Sequence, residues 1–320
     1  MTGLESLSKA DLVDIRKDID HLILKTPCIY SESLSLKYGQ PIYLKMENLQ
    51  KTGAFKIRGN SYKIKNMAYD EIKNGVVTAS SGNHGQGLAL AAEINKVDAK
   101  VFVPDKTPEV KIKKIKSYGA EIEIKGRTYD EAVGYAVKFA EENNYTYIPS
   151  FDDPDIIKGN TTLGLEIFSD VESPSLVVVP IGGGGGISGI SIARNCMSQD
   201  TKIYGVEASG ASSMKISIAN NKLTELENIN TLADGIKVAK PGKLTFEIAR
   251  KNVSMIVTVS EEEMKAAFKE ILTGSKVLAE LAGTSAVAAL DKIDLSEFDG
   301  PIVCVITGGN IDENLVRELL

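Results

Sequence analysis

Short apolar runs separated by amphipathic stretches set the rhythm of this chain. Pro41–Met46, Gly75–Ala79, Lys100–Pro104, Glu121–Lys125, Tyr145–Pro149, Leu176–Ile181, Lys202–Val206, Met255–Val259 and Ile302–Ile306 are rich in β-branched and aliphatic residues and read as strands. The segments between them carry apolar residues at helical spacing, and an opening helix is predicted over Lys9–Leu24. Ser260-Glu261-Glu262-Glu263 predicts a helix start with a capping box from Ser260 to Glu263. Strands alternating with helices predict an α/β fold built from layered sheets. Ser150–Pro154 is polar and loop-like and marks a boundary. The strands between Gly75 and Pro149 form one small sheet and the others a larger one. This divides the chain into a small domain, 46–149, and a large domain made of 1–45 and 150–320. The lysine-rich side of Asp105–Tyr118 reads as a solvated helix face.

With 320 residues, 43% hydrophobic and 25% charged, the chain has the composition of a soluble globular protein that can bury a large core. A net charge of −6 argues against a nucleic-acid or anionic-membrane partner. No uncharged apolar stretch is long enough to span a bilayer, and the first residues lack the basic-then-apolar pattern of a secretory signal. Cys28, Cys196 and Cys304 are odd in number and far apart, which predicts free, buried thiols in a reducing compartment, the cytoplasm.

Candidate chemistry lies at three strand ends. Leu176-Val177-Val178-Val179 leads into Pro180-Ile181 and five consecutive glycines, Gly182–Gly186, with a helix-like stretch behind them. Glycines at a helix start let backbone N–H groups converge, and the helix terminus adds partial positive charge. That is a cradle for a phosphate. Ser80-Ser81-Gly82-Asn83-His84-Gly85 follows Val76–Ala79, and Thr307-Gly308-Gly309-Asn310 follows Val303–Ile306. Ligands of open α/β sheets bind beyond the carboxyl ends of strands, so three such loops predict a cleft between two domains. The spacing Gly184-x-Gly186-x-x-Gly189, with Glu207 ending the next strand, also fits a dinucleotide fingerprint. A nicotinamide-dependent dehydrogenase therefore competes at this stage, although it leaves the other two loops unexplained. No Cys or His pair has zinc spacing.

Lys45-Met46-Glu47-Asn48-Leu49-Gln50-Lys51-Thr52-Gly53-Ala54-Phe55-Lys56-Ile57-Arg58-Gly59 resembles the cofactor-lysine segment of the serine/threonine dehydratase and serine racemase family. The resemblance extends over the three loops, Leu232-Ala233-Asp234-Gly235-Ile236 and Ala279-Glu280-Leu281-Ala282-Gly283. It departs at Ala54, Asn60, Leu281 and Thr307, where the family more often has serine, alanine, proline and serine. It implies a fold type II pyridoxal-phosphate (PLP) enzyme, similar to the tryptophan synthase β chain. In that fold two open twisted sheets are flanked by helices, and the cofactor sits in the interdomain cleft.

The resemblance also implies roles. Lys56 carries PLP as a Schiff base and serves as general base. Phe55 packs on the cofactor ring, and Gly182, Gly183, Gly184 and Gly185 bind its phosphate. Asn83 meets the ring hydroxyl and Thr307 the pyridine nitrogen, with Gly235 and Glu280 also at the cofactor. Ser80, Ser81, Gly82, Asn83, His84 and Gly85 hold the substrate carboxylate, His84 binding rather than transferring protons. The implied activity is dehydration of L-threonine and L-serine to a 2-oxo acid and ammonia. Serine racemase, with Ser81 as a second acid/base, and 3-hydroxyaspartate dehydratase stay open beside it, as does a binding module without activity. Racemase-like members bind a divalent ion, and the matching positions here are Glu207, Ala211 and Ser213, with one carboxylate among them. A structural cation (Mg2+, Ca2+ or K+) is thus a further candidate. Family habit implies a homodimer or homotetramer. The chain ends ten residues after Asn310, so no C-terminal regulatory domain is expected.

Overall fold

A computed structural model describes residues 3–197 and 200–320. Its strands are β1 (Cys28–Tyr30), β2 (Ile42–Met46), β3 (Val76–Ala79), β4 (Ala99–Val103), β5 (Glu121–Ile124), β6 (Thr146–Tyr147), β7 (Leu176–Pro180), β8 (Lys202–Ala208), β9 (Met255–Val259) and β10 (Ile302–Ile306). They form two sheets, six-stranded in the order β1-β2-β10-β7-β8-β9 and four-stranded in the order β5-β4-β3-β6. All pairings are parallel except β1 with β2. The predicted α/β class and the nine predicted strands are present. β1 is the strand missed, a three-residue edge element with no alternation to reveal it.

Parallel strands covered on both faces read as continuous apolar runs. β7 and β10 are buried along their whole length, and the two faces of the larger sheet supply separate cores. The smaller sheet is sandwiched by its own apolar clusters. The opening helix stops at Asp18 rather than Leu24, because Ile19, Leu22 and Ile23 turn inward to pack on Ile57. β6 is shorter than Tyr145–Pro149, since Pro149 has no N–H to continue the ladder. Ser260 and Glu263 form the expected capping box. All three cysteines are free thiols, Cys304 buried and the other two partly so. Among the described residues no helix is long and apolar enough to cross a membrane.

The helix Lys56–Asn66 is anchored by buried charge. Arg58 lies wholly inside, donating to Glu47 through Nε and Nη2 (both 2.7 Å) and to Glu166 through Nη1 (2.8 Å) and Nη2 (2.7 Å). Lys45 Nζ donates to the same Glu166 at 2.7 Å and to the Thr26 carbonyl at 2.6 Å. Burial alone would favour the neutral forms. The mutual attraction overrides it, so the Arg58 pKa moves up and that of Glu166 down. The cluster pins the helix Lys56–Asn66 to β2 and to the helix Pro154–Asp170.

Breaking such a cluster leaves an uncompensated buried charge, at a cost of about 3–5 kcal/mol. Glu47→Gln should therefore lower the urea midpoint sharply. A midpoint unchanged from wild type would show that the cluster does not hold the helix in place.

Candidate active site

Three of the loops singled out in the sequence meet beside Lys56. The Phe55 amide donates to the Thr307 carbonyl at 3.1 Å, Ala54 bridges Gly308, and the Gly309 amide donates to the Gly53 carbonyl at 2.9 Å. Glu280 joins the same knot, its amide donating to the Gly308 carbonyl at 3.0 Å. Phe55 lies against the start of the helix Gly185–Cys196, where a Cβ on Gly186 would stand 3.2 Å from its ring. Lys56 Nζ sits 5.3 Å from the centre of the Phe55 ring and donates to the Ser150 carbonyl at 3.0 Å. Desolvation pulls the Lys56 pKa down to about 8, with Glu280 opposing. A lysine in that condition yields a neutral, nucleophilic amine near neutral pH.

The glycine run is shaped by what surrounds it. A Cβ on Gly183 would fall 2.2 Å from the Phe151 ring, and Gly184 adopts φ +93°, in the left-handed region. Thr245 Oγ1 donates to the Gly183 carbonyl at 2.6 Å. In a trans peptide the N–H of Gly184 then points the opposite way, off the helix Lys243–Asn252. The helix Gly185–Cys196 has no side-chain cap, so its first N–H groups, which lack intrahelical partners, are open to a ligand. The same holds for the helix Asn83–Ile94 behind Ser80-Ser81-Gly82. Asp152 instead caps the helix Lys243–Asn252, accepting from the amides of Lys243, Leu244 and Thr245 at 2.9, 2.9 and 3.2 Å. Phe151, Asp152 and Thr245 carried no sequence signal; only their spacing from the glycines in three dimensions reveals them.

Side chains of the second loop divide into two sets. Asn83 faces the cleft, Nδ2 donating to Glu280 Oε1 at 2.8 Å and Oδ1 accepting from Asn310 at 2.7 Å. Burial lifts Glu280 to about 7, against the Asn83 hydrogen bond. Gly235 borders this carboxyl: a Cβ there would stand 3.0 Å from Glu280 Oε1. The Ser80 hydroxyl accepts from the Gly82 amide at 3.3 Å, while Thr307 is buried and Ser81 partly so. His84 turns away from the loop. Its Nε2 lies 3.0 Å from Thr78 Oγ1 and 3.2 Å from the Ile148 carbonyl, and Nδ1 lies 3.3 Å from Asn60 Nδ2. Those partners assign the proton to Nε2, so this side chain can only support the loop. What His84 offers a ligand is its backbone N–H.

Glu207 lies outside this knot. Its carboxylate accepts the amides of Met214 and Lys215, both at 2.8 Å, while the Ser213 hydroxyl donates to Val238. Ala211 is buried in the short turn between them. No cluster of three or more metal-binding side chains occurs among the described residues. The lysine-rich helix Glu109–Lys116 is not simply solvated: Lys111 reaches Asp234 at 2.5 Å and Lys114 reaches Asn310 at 2.6 Å.

Residues 19–308 match the family described as pyridoxal-phosphate dependent enzymes, and the chain belongs to it. It is 42% identical over 311 residues to a protein named L-threonine ammonia-lyase from Thermotoga maritima, covering 97% of this chain and 77% of that one. A structure of the processed form of threonine deaminase isoform 2 from Solanum lycopersicum superposes with a TM-score of 0.91 at 33% identity, covering 98% and 93% of the two chains. Maize serine racemase superposes with a TM-score of 0.92 at 29% identity, covering 97% and 96%. The fold is thus type II, as the resemblance implied. Membership displaces the dehydrogenase alternative, whose ribose-binding acid, Glu207, is already occupied by two amides. The site fits the family's cofactor: a depressed-pKa amine for the aldehyde, glycine and helix-terminal N–H groups for the phosphate, and the buried Thr307 at the end of β10.

Gly183→Ala should collide with Phe151 and weaken PLP retention by at least about tenfold, read by titrating cofactor into the stripped protein. Unchanged retention would separate the glycine run from the phosphate. Desolvation and the Lys56 charge push His84 down to about 3. Its stabilising contribution is complete above the unfolded value near 6.5 and drains away as pH falls from there towards 3, at up to about 1.4 kcal/mol per pH unit. His84→Gln should flatten the pH dependence of the urea midpoint between pH 7 and 5.

Proposed function

We propose that this member of the pyridoxal-phosphate dependent enzyme family is a dehydratase (ammonia-lyase) that converts L-threonine to 2-oxobutanoate and ammonia, and L-serine to pyruvate and ammonia. The names of relatives matching almost the whole chain support the substrate. The observation that carries the chemistry is Lys56, a partly buried amine at about pKa 8 where the three loops converge.

PLP, when bound, supplies an electron-withdrawing ring that lets the α-carbon of an amino acid part with its proton. Gly182, Gly183, Gly184 and Gly185 would hold the phosphate, Phe55 the ring face, and Asn83 and Thr307 the ring hydroxyl and nitrogen, with Gly235 and Glu280 closing the rim. The amides of Ser81, Asn83, His84 and Gly85 at an uncapped helix start suit the substrate carboxylate, with Ser80 bracing the turn through the Gly82 amide. Lys56 would hold the aldehyde and, with its amine free, would take the substrate's α-proton as general base. Departure of the β-hydroxyl with a proton and addition of water then give the 2-oxo acid and ammonia. Thr307 would contribute to this outcome, since a neutral hydroxyl would not hold the ring nitrogen protonated, which suits elimination.

Ser81 favours a second reading. It stands partly buried in the loop after β3, just ahead of the helix Asn83–Ile94, where a second acid/base for serine racemisation would sit. We place the substrate between a small domain, 46–149, and a large one, 1–45 with 150–320, in a cytoplasmic homodimer or homotetramer. We assign no cation to Glu207, Ala211 and Ser213, because they bring a single carboxylate where a hard cation takes several oxygen ligands.

Lys56→Ala should cut 2-oxo acid formation from L-threonine by about 10³-fold or more. Ser81→Ala should spare that reaction and remove any D-serine formed from L-serine, measured by chiral chromatography. If D-serine outpaces pyruvate in the wild-type protein, racemisation is the main activity and the dehydratase assignment fails.

A further inference from the structure

The helix Glu109–Lys116 packs on the smaller sheet through Ile115 and Ile112, while Asn310 follows β10 of the larger one. Lys114 joins the two. Its ammonium donates to Asn310 Oδ1 at 2.6 Å from a partly buried position, and one turn earlier Lys111 meets Asp234. An ammonium group has three donors and no acceptor, so only the oxygen of the Asn310 amide can face it. The amide nitrogen of Asn310 is thereby turned to the Thr52 carbonyl (2.8 Å) and to Asn83 Oδ1 (2.7 Å). With its oxygen taken, Asn83 must present its own nitrogen to Glu280 Oε1 at 2.8 Å, which leaves one N–H unspent. Asn310 is oriented by Lys114 together with the Thr52 carbonyl, with Gln86 Oε1 at 3.4 Å, and Asn83 by Asn310, so the relay runs from a charge beside the smaller sheet through Asn310 of the larger one and back to Asn83.

We propose that Lys114 is a positioning residue. Through Asn310 it fixes the Asn83 amide with an N–H directed to the cofactor ring, and it does so only while the two sheets stand closed upon each other. The inference rests on the assignment of PLP to this cleft. It couples closure of the cleft to the ring contact, so an open protein holds its cofactor with Asn83 free to turn.

The test compares wild-type holoenzyme with Lys114→Met, Lys114→Arg and Lys113→Met. The last removes a neighbouring lysine that is 71% exposed and, among the described residues, pairs only with Glu109 on its own helix. Three readouts apply: the dissociation constant of PLP, the position of its visible absorption band, and KM against kcat. Lys114→Met should weaken PLP retention about tenfold and shift the band. Lys114→Arg, which keeps the donors, should restore most of both, and Lys113→Met should leave both at wild type. Retention within about twofold of wild type and an unmoved band in Lys114→Met would overturn the proposal. So would equal losses in Lys114→Met and Lys113→Met, which would mark a general effect on the helix. A wild-type protein that takes up no PLP at all would instead bring down the functional assignment, and this proposal with it.

Discussion

The cluster of Arg58, Glu47, Glu166 and Lys45 is the constraint on which the site depends. Lys56 is the first residue of its helix and Arg58 the third, so the guanidinium that locks the helix in place sits within one turn of the reactive amine. Without it, nothing would oblige a lysine to enter a desolvated cleft. Lys56 has no carboxylate in direct contact and yields to burial, whereas Arg58 has two and resists it. The same short segment thus holds one cation firmly charged and another poised to lose its proton, by giving partners to one and withholding them from the other.

Much of this was legible in the sequence, for identifiable reasons. Buried parallel strands advertise themselves as apolar runs, and all nine of the predicted ones are present. Glycine runs at strand ends marked the loops because few other sequences tolerate that backbone. What stayed hidden depends on distance across the fold. Lys45, Glu47 and Arg58 stood in the segment that gave the family away, yet their value as a buried cluster becomes visible only with Glu166, 108 residues beyond Arg58. Lys111 and Lys114 looked like a wetted helix face because helical periodicity reports which side of a helix leaves its own sheet, and not what stands opposite. His84 was expected to bind through the backbone donors of its loop; the pocket made by Thr78, Ile148 and Asn60, which claims its ring, was not legible.

The cleft achieves its polarity with little formal charge. Two helices begin there without side-chain caps, so their terminal N–H groups and dipoles remain available to anions. The nearest acid, Glu280, is lifted to about 7 and is largely shielded by Asn83 and Asn310. The phosphate of a cofactor and the carboxylate of a substrate would therefore each be met by backbone dipoles rather than by arginines.

One loop bears more than its length suggests. The Ser150 carbonyl receives Lys56, the Phe151 ring covers Gly183, the Asp152 carboxylate caps the helix Lys243–Asn252, and Asp153 caps the helix Pro154–Asp170. Four consecutive residues face four different elements, in a register that a single inserted or deleted residue would shift at every point. Loops usually absorb length variation between relatives. This one has no slack, so drift in its length should be the rarest kind of change tolerated by any descendant that keeps the chemistry.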